Sequence, residues 1–254
     1  MTLAHDVSGD GPAVVLLHSS VCDRRMWDPQ WPALADAGHR VVRCDFRGYG
    51  ESPVADRPYG DAADVADLLD HLGVDRAVLV GASYGGRVAL ELAATRPDRV
   101  TGLFLLCPGM PGHEPGAALR SFGEREEELF EAGDIAGAVE LNVETWLGPE
   151  ADDGARERVR RMQRHAFEVQ AAAEEDFSLP EAQVDLSRIT APCLAVSGAH
   201  DLPDFREIAA TLARRVPGAR HLELPWAGHL PGLERPAPTT DLLTRFLRET
   251  TTGH

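Results

Sequence analysis

The chain has 254 residues, 43% of them apolar, and carries 25 basic against 41 acidic side chains, a formal charge of −16 with histidine neutral. That length accommodates one large α/β domain with a modest insertion. A balance this acidic repels nucleic acid and anionic membrane, so neither is expected as a partner.

Strand and helix patterns alternate from the start. Ala13–Leu17 is an apolar run of strand length, and residues 27–37 read as a short helix. Residues 40–46 form the next strand pattern, and 61–72 an amphipathic helix with Val65, Leu68, Leu69 and Leu72 on one face. Two further strand patterns, 77–80 and 100–107, flank a helical one over 87–94. Near-continuous apolar strands separated by helices predict a mostly parallel α/β sheet covered by helices on both faces. From about 113 to 184 the texture changes: Glu, Arg and Ala are abundant, no strand pattern stands out, and 156–173 is strongly helical. The alternation resumes with a strand at 193–197, a helix at 205–215, a strand at 221–224 and a closing helix over about 238–248. The expected division is a core over 1–112 and 185–254, with a helical cap insertion over 113–184.

Cys22, Cys44, Cys107 and Cys193 show no C-x-x-C pair and no metal-ligand spacing. Cys44, Cys107 and Cys193 lie in or beside apolar runs and read as buried thiols of a reducing compartment. The first residues show no basic stretch leading into an apolar one, and no apolar run reaches membrane-span length. A cytoplasmic protein is expected.

Gly81-Ala82-Ser83-Tyr84-Gly85-Gly86 carries the chemistry. A glycine-rich turn can be only a turn, but a strand before it and a helix after it make the setting of a nucleophile elbow. Only small residues fit at the flanks of so tight a turn, and the strained serine presents its Oγ above the strand ends. The Tyr84 amide, at the helix start, is aimed at an oxyanion.

Ligands of parallel sheets bind at the carboxyl ends of strands. Asp201 follows one strand within Ser197-Gly198-Ala199-His200-Asp201, and His229 follows the next within Trp226-Ala227-Gly228-His229-Leu230-Pro231. A serine hydroxyl needs an imidazole to take its proton, and the imidazole needs a carboxylate to fix its tautomer. Asp204 competes with Asp201, which can instead cap the helix that starts near Pro203. His221 competes with His229. The spacing from Gly198 and the Gly-His context favour Asp201 and His229.

This order of elements and residues resembles the α/β-hydrolase superfamily, of the capped serine esterase and lactonase type. The resemblance covers the chain except the cap. Asp45-Phe46-Arg47-Gly48-Tyr49-Gly50-Glu51-Ser52 is similar to the family's D-x-R-G-x-G-x-S segment, which implies that Asp45 and Arg47 hold a loop. His18-Ser19-Ser20 sits where the family carries His-Gly-x. The resemblance therefore implies an oxyanion hole from the amides of Ser20 and Tyr84, with His18 supporting the loop. Ser19 replaces the usual glycine, so either the bend differs or its conformation is open to serine. The enol-lactonase branch can carry Asn-Ser-x here, and has a run similar to Met26-Trp27-Asp28-Pro29-Gln30.

Serine at the elbow argues against haloalkane dehalogenase and epoxide hydrolase, which place aspartate there. Ala82 and Leu230 disfavour the C–C hydrolases of aromatic catabolism. No P-loop, no dinucleotide fingerprint and no metal constellation is present, so no cofactor and no metal is expected.

The expected function is hydrolysis of a small carboxylic ester or lactone through Ser83, Asp201, His229 and an acyl-enzyme. Enol-lactonase is the nearest alternative. A cofactor-free haloperoxidase or perhydrolase and a non-catalytic ligand-binding module are the readings of other classes. The expected partner is the small-molecule substrate, with a homodimer left open. Candidate substrate contacts are Ser19, Arg24, Trp146 and His165. Trp146, Met162, His165 and Phe167 can line a pocket or simply pack onto the core. Arg24 and Arg25 can meet a substrate carboxylate or remain solvated.

Overall fold

Runs such as Ala77–Ala82, buried at every position, can satisfy their backbone only inside a sheet covered on both faces. The computed structural model describes residues 2–173, 175, 177–180 and 182–251. Its strands are β1 (His5–Ser8), β2 (Ala13–Leu17), β3 (Arg40–Cys44), β4 (Ala77–Ala82), β5 (Val100–Leu106), β6 (Cys193–Gly198) and β7 (Arg220–Leu224). They form one sheet in the order β1-β3-β2-β4-β5-β6-β7. All neighbours run parallel except β1, which is antiparallel to β3. This is the mostly parallel α/β architecture that the alternation predicted.

The α-helices among the described residues are α1 (Trp31–Asp36), α2 (Asp61–His71), α3 (Tyr84–Thr95), α4 (Ala117–Glu131), α5 (Ile135–Trp146), α6 (Asp153–Ala171), α7 (Pro203–Arg215), α8 (Pro231–Glu234) and α9 (Pro236–Thr251). None is long and apolar enough to cross a membrane. The sheet is wrapped by a core that includes Trp27, Phe46 and Phe104, with the Phe104 ring 5.6 Å from that of Phe246 on α9. All four cysteines are buried and free.

Two elements differ from expectation. The helix expected over 27–37 is split into a single 3-10 turn, Arg24–Trp27, and the short α1. Pro29 and Pro32 lack the N–H that a continuous helix needs, and Pro32 is tolerated only in the first turn of α1. The strand β1 was not expected, because His-Asp-Val-Ser has no apolar period. It exists because the edge of β3 supplies partners, pairing His5 with Cys44 and Ser8 with Val41.

Between β5 and β6 lie α4, α5 and α6. The only β-pairing from this region is an isolated bridge between Tyr59 and Ser178, among the described residues. The packing here is light: α4 has no buried residue, and a satellite cluster joins Ala138, Val139 and Phe167. Asp204, on α7, ties this helical block to the sheet by accepting hydrogen bonds from His113 Nε2 (2.9 Å) and the Gly116 amide (2.5 Å).

Candidate active site

Ser83 follows β4 directly and caps α3 with φ 50° and ψ −112°, a conformation that side chains rarely adopt. The sheet and α3 hold it there from both sides. Its amide donates to Leu106 O (2.9 Å), and its carbonyl accepts from Gly86 (2.9 Å) and Gly109 (2.8 Å). The flanking glycines are required by space. A Cβ on Gly81 would lie 2.6 Å from the Gly85 carbonyl carbon, one on Gly86 2.7 Å from Pro108 Cβ, and one on Gly85 would run into the Leu17 carbonyl.

The loop after β2 is docked on this turn by the Gly85 amide, which donates to His18 O (3.0 Å). The His18 ring fixes the loop: its Nδ1–H donates to Ser19 O (2.8 Å), and Nε2 accepts from the Phe46 amide (2.9 Å). Burial lowers the His18 pKa below the usual histidine range, which keeps this neutral tautomer in place. Ser19 is not among the residues with positive φ, so a serine fits where a glycine is usual without backbone strain. The amides of Ser20 and Tyr84 donate to no described acceptor.

Asp45 and Arg47 hold their segment together. Asp45 accepts from the Glu51 amide (2.9 Å), and Arg47 pairs with both carboxylate oxygens of Asp64 (2.6 and 2.8 Å).

Beyond β6 and β7, Asp201 Oδ2 accepts from His229 Nδ1 at 2.8 Å, with both side chains buried. The competitors are occupied elsewhere, Asp204 with His113 and His221 with Ser197 Oγ (2.8 Å). The rings of Trp146 and Phe205 pack on His229 at 4.6 and 4.1 Å. Glu234, which the sequence reading missed, grips the main chain on either side of the histidine. Its carboxylate accepts from the amides of Gly228 (2.8 Å), Leu230 (3.0 Å) and Gly148. Burial raises the Glu234 carboxyl above its ordinary range, while those amides oppose the shift. Its only sequence signal was an acid shortly after Gly-His.

Cys107 follows β5 with φ 44°. Its Sγ, an Asp201 oxygen and a His229 nitrogen lie within 4.8 Å of one another, a spread that could admit a metal ion. The donor set does not fit one. Burial pushes the Cys107 thiol far above its usual range, so it stays protonated, and Asp201 is already bonded to His229.

Two cavities meet at Ser20, Tyr49 and Gln170. The larger, about 490 Å³, is also lined by Arg47, Tyr59, Asp61 and Tyr84. Burial raises the Asp61 carboxyl, against the effect of the Tyr84 hydroxyl that donates to it. The smaller, about 170 Å³, is walled by Trp146, Phe167 and Phe122. Of the expected pocket residues, Trp146 and Phe167 are therefore on a cavity wall, whereas Met162 is packed in the core.

Arg24 and His165 are not brought to either cavity. Both line a separate cleft of about 410 Å³. The Arg24 guanidinium is taken up by Asp6 (3.0 Å), Asp45 and Glu51 (2.6 Å), and His165 Nε2 bonds Gly50 O (2.8 Å). Arg25 pairs with Asp23 (2.6 Å). The expectation that Arg24 greets a substrate is corrected on this ground: its charge is already matched by three carboxylates.

A serine at a strained strand–helix turn after β4, with a buried Asp–His pair beyond β6 and β7 of the same sheet, is the kind of arrangement found in α/β-hydrolases. Residues 14–242 match the model of the alpha/beta hydrolase family, and the chain belongs to that family. It is 27% identical over 264 residues to a pimeloyl-[acyl-carrier protein] methyl ester esterase of Aeromonas hydrophila, covering 97% of this chain and 100% of that one. A thermophilic esterase of Thermogutta terrifontis superposes with a TM-score of 0.80 at 29% identity, covering 98% and 94% of the two chains. The enol-lactonase of Burkholderia xenovorans gives 0.76 at 28%, covering 97% and 96%. The chain spans only 42% and 64% of the length of two other curated relatives. The hydrolase and esterase names agree with the expectation of a hydrolytic enzyme.

Proposed function

We propose that the protein hydrolyses a small carboxylic ester or lactone through Ser83, His229 and Asp201. The observation that carries this reading is the strained backbone of Ser83 at a strand–helix turn, since such strain clusters at active sites. The Asp201–His229 hydrogen bond supports it, because a proton held on Nδ1 leaves Nε2 free to act as base.

In this mechanism Nε2 takes the Ser83 proton as Oγ attacks the carbonyl carbon. The free amides of Ser20 and Tyr84 stabilise the tetrahedral oxyanion, each worth about 3 kcal/mol. The imidazolium then protonates the leaving alkoxide, and the acyl-serine forms. Water, deprotonated by the same nitrogen, releases the acid and restores Ser83. Trp146 would shape the substrate site from its place against His229, whereas Ser19, expected as a substrate contact, is fully buried and lines neither cavity. The helical block of α4–α6 would act as the cap, and the esterase and enol-lactonase relatives favour this substrate class.

The test is hydrolysis of short p-nitrophenyl esters and simple lactones by the wild type and Ser83→Ala. Turnover that falls by at least about 10³-fold in the variant, with an unchanged circular dichroism spectrum, is expected. A variant that retains wild-type turnover would remove Ser83 from the reaction.

A further inference from the structure

The larger cavity, about 490 Å³, begins at the serine turn. Its lining includes Ser20 and Tyr84, whose amides are the proposed oxyanion donors, and Tyr84 directly follows Ser83. From there the Tyr84 side chain reaches Asp61, also in the lining, and its hydroxyl donates to Oδ2. The Phe46 ring, edge-on at 5.3 Å, and the Arg87 guanidinium, 4.6 Å from the centroid, hold the Tyr84 ring in that place. Asp61 and the Tyr84 amide thus stand one tyrosine side chain apart along the cavity.

The far end of the cavity is an acceptor. Arg47, the one cation among the described lining residues, is matched by both oxygens of Asp64 (2.6 and 2.8 Å). Asp61 forms no ion pair among the described residues, and its side-chain hydrogen bond comes from the Tyr84 hydroxyl. Burial raises its carboxyl, so a further donor from a ligand would stabilise the ionised form. A ligand carboxylate there would instead meet the like charges of Asp61 and Glu175. A ligand cation would find two aromatic faces taken, that of Tyr59 by Arg47 (5.3 Å) and that of Tyr84 by Arg87. The group that suits this end is an uncharged hydroxyl. Tyr49, Tyr59, Tyr84 and Phe177 line the way to it and suit an aryl ring.

We propose that this cavity takes the acyl half of the substrate and selects uncharged acyl groups, about as long as a tyrosine side chain, that end in a hydroxyl. A para-hydroxyaryl group is the type, with Asp61 as the specificity residue. The proposal rests on the hydrolase reading above and narrows its substrate class.

Methyl dihydrocinnamate and its para-hydroxy and para-carboxy derivatives test it, because the saturated spacer insulates the ester from the ring substituent. In the wild type, kcat/KM is expected to be about tenfold higher for the hydroxy ester than for the parent, and about tenfold lower for the carboxy ester. Asp61→Leu removes the acceptor and should erase the hydroxyl preference. Asp61→Asn keeps an acceptor without the charge, so it should relieve the discrimination against the carboxylate and retain part of the hydroxyl preference. A merely structural role would slow all three esters alike. That result overturns the proposal and leaves the hydrolase reading standing. So does a hydroxyl preference that is absent or survives Asp61→Leu, or a wild type that cleaves other esters but none of these. Should the wild type cleave no ester or lactone, the hydrolase reading fails. Calorimetric titration with two uncleavable methyl ketones of the same shape, benzylacetone and its para-hydroxy derivative, then decides the proposal. Tighter binding of the hydroxy ketone, lost in Asp61→Leu, supports it. Equal binding, binding of neither, or a difference that survives the substitution overturns it.

Discussion

The strand ends and the helical block between β5 and β6 hold their functional groups in opposite ways. At the strand ends the main chain sets position: Ser83 N to Leu106 O, Cys107 N to Val196 O and Gly85 N to His18 O are register bonds of parallel strands and their first turns. In the helical block side chains set position, as where Trp146 packs edge-on to Phe122 (4.7 Å) and Phe205 (5.6 Å). A site defined by backbone tolerates almost no new atom, whereas a wall of side chains can be exchanged piece by piece. In the proposed mechanism the strand ends would therefore carry the reaction type, and the side-chain walls, those of the block included, selectivity.

Substitutions can break or sharpen that contrast. The largest effect is expected at Asp201. Asp201→Asn should lower kcat by about 10³–10⁴-fold with little change in Tm, since the amide disfavours the tautomer that leaves Nε2 as base. A variant with more than a tenth of wild-type kcat would exclude Asp201 as the orienting acid.

Gly85→Ala strikes the backbone itself. Its Cβ would meet Leu17 and His18 carbonyls, and a loss above about 3 kcal/mol, or failure to fold, is expected in urea unfolding. A loss below about 1 kcal/mol would show that the elbow can shift.

Asp204 joins the two regions, and its effect should depend on pH. Burial pushes its carboxyl upward, but the hydrogen bonds from His113 and Gly116 outweigh that and hold it below the ordinary range. A depressed carboxylate contributes stability that is complete above its unfolded value, near 3.8, and is lost as pH falls through the folded one. Asp204→Asn should therefore cost about 1–2 kcal/mol at pH 7 and progressively less on acidification to pH 3. A difference that grows with acid would reverse the sign of this tether.

Within the block, Arg160 reaches Glu140 (2.5 Å) and Glu157 (2.9 Å) across its surface. Arg160→Ala is expected to change stability by less than about 0.5 kcal/mol, because solvent screens such pairs. A loss above about 2 kcal/mol would mean that the block is held together by charge rather than by packing.

Ser83, Asp201 and His229 stood out as candidates because each follows a strand within a few residues, apolar for β4 and β6 but exposed and polar for β7, and two are marked by glycines. The role of His18 as a loop support came from the family resemblance rather than from spacing, and its bonds to Ser19 O and the Phe46 amide match it. Glu234 was not legible, since an acid in the first turn of a helix normally faces solvent, and nothing local shows that its carboxylate turns back to the amides of Gly228 and Leu230. Arg24 misled for the converse reason: an exposed-looking arginine beside the oxyanion loop gives no sign of Asp6, Asp45 and Glu51, which converge on it from elsewhere in the chain.

By itself, the sequence determined the parallel strands, the elbow and the order of serine, acid and histidine, because apolar period, small-residue turns and strand-end spacing are local properties of the chain. Only the tertiary structure decided the rest. It paired the polar strand β1 with an open edge, seated Glu234 across the histidine loop, emptied Arg24 of free charge and brought Asp61 to the Tyr84 hydroxyl. Each of these depends on which distant groups arrive at the same point, and so on packing rather than on period.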